Sequence, residues 1–438
     1  MEDATRQSDE EEEEECSYLM QEEALQELEY EQTLSARQKR KYARLERDLQ
    51  AQDASHVPLR FRILGARGLP AAVQAQALKK YQTLCVLEDP TQFCKLRAWL
   101  EGLLRIPFGQ YHQARCASHR AKVKRLCETK AAMDRWIHGH AEAKESIVHM
   151  VSQALANPHS LPQIIGIVGP PGNGKTTLVR QGVARALQRP FMQVSLGGAN
   201  DVTQLKGHAY TYENSSWGKV VDVLMEARCL NPVIYFDELD KISQSEKGEE
   251  IISALIHMTD PSQNTDFRDH YFEQIPIDLS QVVFIFSFND EKNVSPVLLD
   301  RLYLIRTLPL QPADKVVIAS DYLLPAVSRN IGFQPDQLQL TPDGARFLLA
   351  HAEPERGVRQ LRRCLENIVL RLNTMKLLHE AAQKRTARAQ ISAVLGTIQC
   401  PAAGRITEQL RFPLRLTADF LRQVARPRPA SSHDFMYT

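Results

Sequence analysis

Eight consecutive residues combine small side chains with a lysine and a threonine in the spacing of a phosphate-binding loop. They follow an apolar segment of strand type, 164–168, and precede a segment of helical type that begins at Thr177. Small residues let successive backbone N–H groups close around phosphate, and a helix N-terminus adds favourable partial charge. A glycine-rich turn alone is often only a tight connection, so the context of strand and helix is what indicates nucleotide binding. The residues are Gly169, Pro170, Pro171, Gly172, Asn173, Gly174, Lys175 and Thr176.

The charged and hydroxyl residues around this loop suggest how a nucleotide would be held and hydrolysed. Lys175 would reach the β- and γ-phosphates, and Thr176 would ligate Mg²⁺. Further along, the apolar run 233–236 ends in Asp237 and Glu238. Open α/β sheets bind ligands at the carboxyl ends of their strands. Asp237 is therefore predicted to complete the Mg²⁺ shell, and Glu238 to orient and polarise the attacking water.

A third polar residue follows another apolar run. Residues 282–288 end in Asn289, whose amide can accept a hydrogen bond and also donate one. An Asn at a strand end is often only a turn former. Its position after the acidic strand favours a role in holding water between Glu238 and the γ-phosphate.

The elements that must position these residues alternate along the chain. Short apolar runs rich in β-formers are separated by helical or irregular segments, at 164–168, 191–196, 233–236, 282–288 and 303–308. That pattern is typical of a parallel sheet with helices on its faces. From Ala313 the pattern becomes helical, with an apolar face formed by Leu361, Leu365, Ile368, Leu372 and Met375. We therefore expect an α/β P-loop core followed by a helical lid.

Composition narrows the class of protein. The chain has 438 residues, 43% of them apolar, which is enough for two or three compact domains. No apolar run approaches the roughly 20 residues that span a bilayer. The acidic N-terminus resembles neither a secretory signal nor a transit peptide, so a soluble cytoplasmic protein is expected, with a nuclear location left open. The eight cysteines lack the close pairs of zinc sites and are expected to be reduced.

Charge is unevenly distributed along the chain. Residues 1–31 hold fourteen acidic residues and one basic residue, so the remainder carries a formal charge of +14. This excess of base is not concentrated in one patch, and nucleic-acid binding is not required to explain it. The acidic run 9–15 predicts a disordered tail, with docking to a basic partner as the alternative. Apolar residues recur among charged ones through residue 52, at Leu25, Leu28, Leu34, Leu45 and Leu49. This pattern predicts a long helix, exposed or of coiled-coil type.

The chain resembles the ATPase portion of Lon-type AAA+ proteases over about residues 95–425. The resemblance extends beyond the nucleotide motifs, and the stretch 260–271 is far more specific than a phosphate loop. The matching runs are 107–111, 139–144, 205–208, 261–264, 267–271, 298–301 and 357–359. The resemblance implies an AAA+ core with a helical lid and a helical N-terminal region.

Six segments are predicted on this basis. They are a disordered acidic tail at 1–17, the long helix at 18–60, a helical subdomain at 61–135, the AAA+ α/β domain at 136–310, the lid at 311–425 and a linker at 426–438.

The resemblance also implies roles for four further residues. Arg301 matches the arginine finger that reaches the γ-phosphate of a neighbouring subunit, although a surface salt bridge is the simpler interpretation. Arg359 matches the second sensor in the lid, and a guanidinium suits both roles because it is always charged and binds phosphate through two donors. His138 and Gly139 match the region that contacts adenine. A finger acting between subunits implies a homohexamer.

The chain departs from the family in the loop that grips polypeptide in the pore. The family uses an aromatic residue followed by an aliphatic one, whereas here Tyr212 is followed by Glu213. A ring of added carboxylates would repel acidic substrates. Tyr210 or Trp217 are candidates for the lost grip, although a loop aromatic is as often packed locally.

A second departure concerns the peptidase site. The family uses a Ser nucleophile and a Lys base in a C-terminal domain, and this chain has no lysine after Lys384. Ser392, Ser431 and Ser432 therefore lack an amine base, and no peptidase activity is expected from this chain alone. A truncated product is the alternative. The family's β-rich N-terminal recognition region is also expected to be absent.

Three functions remain in competition. The first is an ATP-hydrolysing ring that unfolds, translocates or remodels polypeptide, alone or with a separate peptidase. The second is a binding module in which nucleotide only fixes assembly. A separate alternative is that the chain is the ATPase fragment of a full Lon-type protease. The third, a nucleic-acid motor, is disfavoured because the expected pore carries Glu213.

Overall fold

The chain folds into two compact units, one within residues 1–104 and one within 105–438. A computed structural model describes residues 33–52, 57–112, 118–157, 160–199, 201–212, 215–272, 274–383, 407 and 410–425. The predicted acidic tail, the helix positions Leu25 and Leu28, and the linker 426–438 lie outside the described residues. The domain boundaries given above stay predictions.

The first unit is built from helices. They are α1 (Ala36–Gln52), α2 (Leu59–Gly65), α3 (Ala71–Leu84) and α4 (Pro90–Arg105). Tyr42 and Leu45 on α1 are 44% and 46% exposed, so this part of the predicted long helix presents apolar side chains to solvent. The buried positions of α4 recur at helical spacing, at Leu96, Trp99, Leu100 and Leu103.

The second unit contains a five-stranded parallel sheet. Its strand order is β2-β3-β4-β1-β5. The strands are β1 (Ile165–Val168), β2 (Phe191–Ser195), β3 (Val233–Asp237), β4 (Val283–Phe288) and β5 (Tyr303–Arg306). Every residue of β1 and β4 is buried, as expected for strands covered on both faces. All five strands expected from the sequence are present, and the predicted α/β class is confirmed.

Strand register brings the polar strand ends to one edge of the sheet. Val168 pairs with Phe288 at the ends of β1 and β4, and Phe236 pairs with Phe286 between β3 and β4. Gly169, Asp237 and Asn289 therefore leave the sheet at the same edge on adjacent strands.

Helices cover both faces of this sheet. They are α5 (His119–Trp136), α6 (Ala141–Ala156), α7 (Lys175–Leu178), α8 (Arg185–Leu187), α9 (Thr203–Lys206), α10 (Lys219–Ala227), α11 (Glu246–Thr259) and α12 (Pro296–Leu299). A π-helical segment, Val179–Ala184, joins α7 to α8. A methyl group on Gly182 would lie 2.9 Å from Met133 Sδ, so this segment packs closely on α5.

The lid follows the sheet and has its own core. Its elements are α13 (Pro312–Val317), a π-helical segment (Ile318–Leu323), α14 (Leu324–Ile331), β6 (Leu338–Leu340), α15 (Pro342–His351), α16 (Arg359–Gln383), β7 (Leu414–Leu416) and α17 (Ala418–Val424). The predicted apolar face of α16 is buried at all its positions. The parallel pair β6–β7 was not expected from the sequence, because three residues are too few to reveal a strand pattern.

The expectations about membrane helices, cysteines and metal sites can be compared with the described residues only. Within the described ranges, no helix is long and apolar enough to cross a membrane. The described cysteines Cys85, Cys94, Cys127, Cys229 and Cys364 are free thiols, while Cys16, Cys116 and Cys400 lie outside that part of the chain. Among described residues, no group of three or more His, Cys, Asp or Glu is placed to hold a metal ion.

The centre of the sheet provides a test of the fold. Phe286 is fully buried and its ring stacks 5.1 Å from that of Phe236. We expect Phe286→Ala to lower the free energy of unfolding by about 3–5 kcal/mol, because it leaves a cavity between covered faces. Denaturant unfolding of the whole chain measures this, with Val297→Ala, 58% exposed, as the control. The expectation fails if both variants unfold at the same denaturant concentration.

Candidate active site

The phosphate-loop residues turn sharply between β1 and α7 and are held by close approaches. A methyl group on Gly169 would lie 2.0 Å from Thr307 Oγ1. Gly172 has φ +74°, and a methyl group there would lie 3.2 Å from the backbone nitrogen of Arg359. Asn173 is buried and donates from Nδ2 to the carbonyl of Leu308 at 2.6 Å. The loop is thus fixed both to the segment after β5 and to the first residue of α16.

Lys175 links the loop to the end of β4. Its Nζ donates to the Gly169 carbonyl at 2.6 Å, to the Pro170 carbonyl at 3.2 Å and to Asn289 Oδ1 at 2.8 Å. Burial lowers the pKa of Lys175, while the carboxylates of Asp237 and Asp240 act in the opposite direction. The structure therefore brings Lys175 and Asn289 into direct contact.

Asp237 ends β3 with both carboxylate oxygens hydrogen-bonded. Oδ1 accepts from Ser287 Oγ at 2.5 Å and from the Glu238 backbone N–H at 3.1 Å. Oδ2 accepts from Gln193 Nε2 at 3.2 Å. These donors fix the carboxylate beside Thr176, the first residue after Lys175.

Glu238 adopts a left-handed backbone conformation at the turn after β3. Its φ is +62°, which is uncommon for a residue other than glycine and recurs at functional sites. The side chain is exposed and lies over Gly197, where a methyl group would be 2.1 Å from Glu238 Oε2. A side chain at position 197 would displace the Glu238 carboxylate from this place.

These residues share one cleft of about 440 Å³. Pro171 to Thr176, Asp237, Glu238, Asn289 and Arg359 line it, together with His138. Gly169 and Pro170 contribute carbonyls to Lys175 but do not line the cleft. The remaining walls are formed by residues that include Trp136, Ile137, His140, Tyr235, Ser287, Leu310, Ile318, Tyr322, Leu323, Val358 and Arg362.

One end of the cleft is mostly apolar and lies between the core and the lid. His138 Nε2 is 3.2 Å from Asp314 Oδ1, and its ring lies 6.1 Å from that of Tyr322. Gly139 has φ +70° and His140 φ +54°, so the chain reverses here before α6 begins. Burial lowers the pKa of His140, which favours a neutral imidazole in the cleft wall. Rings and aliphatic side chains of this kind suit a flat base.

Arg301 stands apart from this cleft. Its Nη1 donates to Asp260 Oδ2 at 3.0 Å, and it is not among the lining residues. Hydrogen bonds from the hydroxyl and backbone N–H of Ser262, together with Arg301, lower the pKa of Asp260 to about 2. The ion pair therefore holds the guanidinium on a surface away from the nucleotide residues of its own chain.

The stretch compared with the pore loop has one exposed aromatic side chain and two packed ones. Tyr212 is 67% exposed. Trp217 stacks on Phe272 at 6.1 Å, and Tyr210 and Trp217 each meet the ring of Tyr271 edge-on at 5.8 Å. Glu213 lies outside the described residues. Tyr210 and Trp217 are thus placed to anchor the loop ends.

A buried carboxylate closes the base of this loop. Asp269 is fully buried and accepts from the N–H groups of Gly218 at 2.8 Å and Tyr271 at 2.9 Å. Gly207, at the other end, is so near that a methyl group there would lie 3.0 Å from Asp269 Oδ1. Burial raises the pKa of Asp269 to about 7, in spite of the backbone N–H groups of Gly218, Tyr271 and Phe272, which favour the charged form.

Comparison with known proteins agrees with this geometry. Residues 165–310 match the family described as ATPase family associated with various cellular activities (AAA). A Lon protease homolog of Acanthamoeba polyphaga mimivirus is 32% identical over 331 residues, which are 72% of this chain and 31% of that protein. Lon protease of Helicobacter pylori strain J99 is 33% identical over 308 residues, covering 68% of this chain and 36% of the relative.

The mitochondrial Lon protease homolog of Saccharomyces cerevisiae is 34% identical over 301 residues, 68% of this chain and 26% of that protein. The chain contains a Lon-type AAA+ region. It spans about a third of the length of the relatives it matches. The match to this ATPase family over residues 165–310 implies nucleotide binding, typically with Mg²⁺.

The sequence did not indicate several of the residues that line the cleft in this Lon-type AAA+ region. His140, Tyr235 and Tyr322 were not singled out, because each lies in an apolar or unremarkable sequence context. Only Tyr235 gave a signal, as a hydroxyl within the otherwise apolar run that precedes Asp237.

The buried Asp269 predicts a specific pH dependence of stability. An unfolded aspartate has a pKa near 3.9, so between about pH 4 and pH 7 the folded chain keeps a proton that the unfolded chain releases. Stability from this group is therefore present at low pH and lost as pH rises through 7, by about 4 kcal/mol at most. We expect Asp269→Asn, which cannot titrate, to be more favourable relative to wild type at pH 7.5 than at pH 5.

The measurement is the difference in free energy of unfolding between Asp269→Asn and wild type at the two pH values. An exposed carboxylate, Asp419, provides the matched control as Asp419→Asn. A difference that is the same at pH 5 and pH 7.5 would contradict the titration of Asp269.

Proposed function

We propose that this chain is the ATP-hydrolysing subunit of a ring that unfolds, translocates or remodels polypeptide. The observation that carries the proposal is the convergence of Lys175, Asp237, Glu238 and Asn289 with the lid residue Arg359 on one cleft. A module that only bound nucleotide would have no use for the water-directing pair Glu238 and Asn289.

The residues of the cleft fit ATP and Mg²⁺. Gly172 and Gly174 hold positive φ angles, so their backbone N–H groups can face phosphate without side chains in the way. Thr176 and Asp237 offer the oxygen ligands that Mg²⁺ prefers. When bound, Mg²⁺ would neutralise charge on the β- and γ-phosphates. His138, Gly139 and the apolar walls would hold the base.

The chain's own side chains supply the remaining chemistry. Lys175 donates toward the phosphates in place of its present acceptors, and Asn289, released from Lys175, holds water beside Glu238. Glu238 accepts a proton from that water as general base, which makes the water oxygen more nucleophilic. Arg359, at the first residue of α16, senses the phosphate end and links it to the lid.

Assembly completes the site in this proposal. Arg301 does not line its own cleft and is held by Asp260 at 3.0 Å. A guanidinium fixed in this way can reach the γ-phosphate of a neighbouring subunit, which requires a closed ring; a homohexamer is the expected form. Isolated subunits would then turn over ATP slowly.

Polypeptide would be gripped by Tyr212 at the exposed end of its loop, with Glu213 disfavouring acidic segments. Trp217 and Tyr210 support the loop in this proposal. Neither a membrane nor a nucleic acid is required as a partner, and we expect a cytoplasmic location, with the nucleus open.

The relation to proteolysis has two forms. The chain acts with a separate peptidase or alone, or it serves as the ATPase fragment of a full Lon-type protease. In either form these 438 residues, with no lysine after Lys384, are expected not to cleave peptide bonds themselves by a Ser-Lys dyad.

ATP turnover tests the hydrolysis and the ring together. We expect the rate per subunit to rise steeply with protein concentration in wild type. Glu238→Gln should lower kcat by about 10²–10⁴-fold while ATP still binds, because the base is lost. Arg301→Ala should lower it by about 10³-fold or more. Arg306→Ala, an exposed arginine paired with Glu291, is the control and should keep wild-type turnover.

Tight ATP binding without turnover at any concentration would leave the nucleotide-fixed binding module as the function. Turnover that is independent of concentration and of Arg301 would instead contradict the ring.

A polypeptide substrate tests the coupling. Unfolded casein should stimulate ATP turnover by wild type and less so by Tyr212→Ala, whereas casein itself stays intact on a gel. Tyr303→Ala, half-exposed on β5, is the control for loss of a surface tyrosine. Cleavage of casein by the purified chain would refute the expected lack of peptidase activity, and stimulation by single-stranded DNA but not casein would favour the nucleic-acid motor.

A further inference from the structure

Tyr235 places a buried hydroxyl between the two residues expected to ligate Mg²⁺. It lies on β3, two residues before Asp237, and is fully buried. Its Oη is 3.2 Å from Thr176 Oγ1 and 3.4 Å from Asp237 Oδ1. The ring itself packs beside Phe191, with ring centroids 5.8 Å apart. The other residues of β3 before Asp237 are apolar, so the hydroxyl is the one polar group that this part of the strand sends to the site.

A hydroxyl in this place needs partners, because burying one without a hydrogen bond costs free energy. A tyrosine phenol ordinarily keeps its proton at neutral pH. A neutral phenol has one proton to donate and lone pairs to accept with. Asp237 is the stronger acceptor of the two neighbours because it is ionised. The proton of Tyr235 therefore goes to Asp237 Oδ1.

This assignment fixes the direction of the second hydrogen bond. With its own proton on Asp237, Tyr235 Oη can only accept from Thr176, so the Thr176 hydroxyl donates to the phenol. The hydroxyl proton of Thr176 then points toward Tyr235. Its lone pairs are left for a cation.

We propose that Tyr235 is a positioning residue of the nucleotide site, whose phenol joins the Thr176 hydroxyl to the Asp237 carboxylate and so orients the Thr176 oxygen for Mg²⁺. The proposal rests on the proposed function in one respect, namely that this cleft binds ATP with Mg²⁺. It adds a residue that acts on the cation through its ligands.

Ser287 and Gln193 complete the support of the same carboxylate. Ser287 Oγ donates to Oδ1 and Gln193 Nε2 to Oδ2. Because these donors remain when the phenol is removed, Asp237 stays fixed. Thr176 is the residue that loses its acceptor. The expected defect is therefore in cation binding and not in the shape of the loop.

Tyr235→Phe removes the hydroxyl and keeps the ring in the core. Loss of a group that orients a metal ligand typically weakens metal affinity 10–100-fold. We expect the Mg²⁺ concentration for half-maximal binding of a fluorescent ATP analogue to rise about 10-fold or more. Binding of the analogue in EDTA should stay within about two-fold of wild type, since the loop and Lys175 are untouched.

Tyr303→Phe is the matched control. It removes the same atom from a half-exposed tyrosine on β5, in the same sheet but outside the cleft. It should titrate with Mg²⁺ as wild type does. A thermal melt of both variants checks that the fold is kept.

The outcomes separate this inference from the proposed function. If wild type binds the analogue in a Mg²⁺-dependent way but Tyr235→Phe has the same or a lower Mg²⁺ requirement, the positioning role is overturned and the proposed function stands. If affinity in EDTA falls as much as affinity with Mg²⁺, Tyr235 acts on the fold of the loop and the inference is wrong. If wild type shows no Mg²⁺-dependent binding, both fail.

Discussion

The parallel pairing of β1 with β4, and of β4 with β3, is the constraint on which the site depends. Three strands that are far apart in sequence lead into the phosphate loop, the acidic pair and Asn289. They meet because hydrogen-bond register ends these strands at one edge. Burial of both faces makes the register costly to change, because a slip of one residue would turn every side chain to the other face. The packing of the core therefore sets the relative positions of these side chains.

The lid is joined to this edge through backbone contacts. Val358 N–H donates to the Gly172 carbonyl at 3.3 Å, and a methyl group on Gly357 would lie 2.2 Å from the Pro171 carbonyl. Movement of the phosphate loop must therefore displace the start of α16, and rotation of the lid must disturb the loop. Such coupling is reciprocal by thermodynamic necessity.

The sheet and the residues at its edge could be predicted from the sequence because apolar runs and the polar residues that end them are adjacent along the chain. The walls of the apolar end of the cleft could not. His140 and Tyr322 line the same cleft only after the lid folds back on the core, and no local pattern encodes that approach. Trp217 shows the opposite limit, since only the structure distinguishes its stacking on Phe272 from an exposed position. The strands β6 and β7 were too short to detect.

The loop that carries Tyr212 begins and ends at the same point. Gly207 and Gly218 are so close that a methyl group on Gly207 would lie 2.7 Å from the Gly218 nitrogen, and His208 N–H donates to the Ser216 carbonyl at 3.1 Å. Force applied at the tip would therefore act on both ends of the loop at one place, where Asp269 accepts a hydrogen bond from the Gly218 N–H. Load applied there acts on the hydrogen bonds at the base in parallel instead of breaking them one after another.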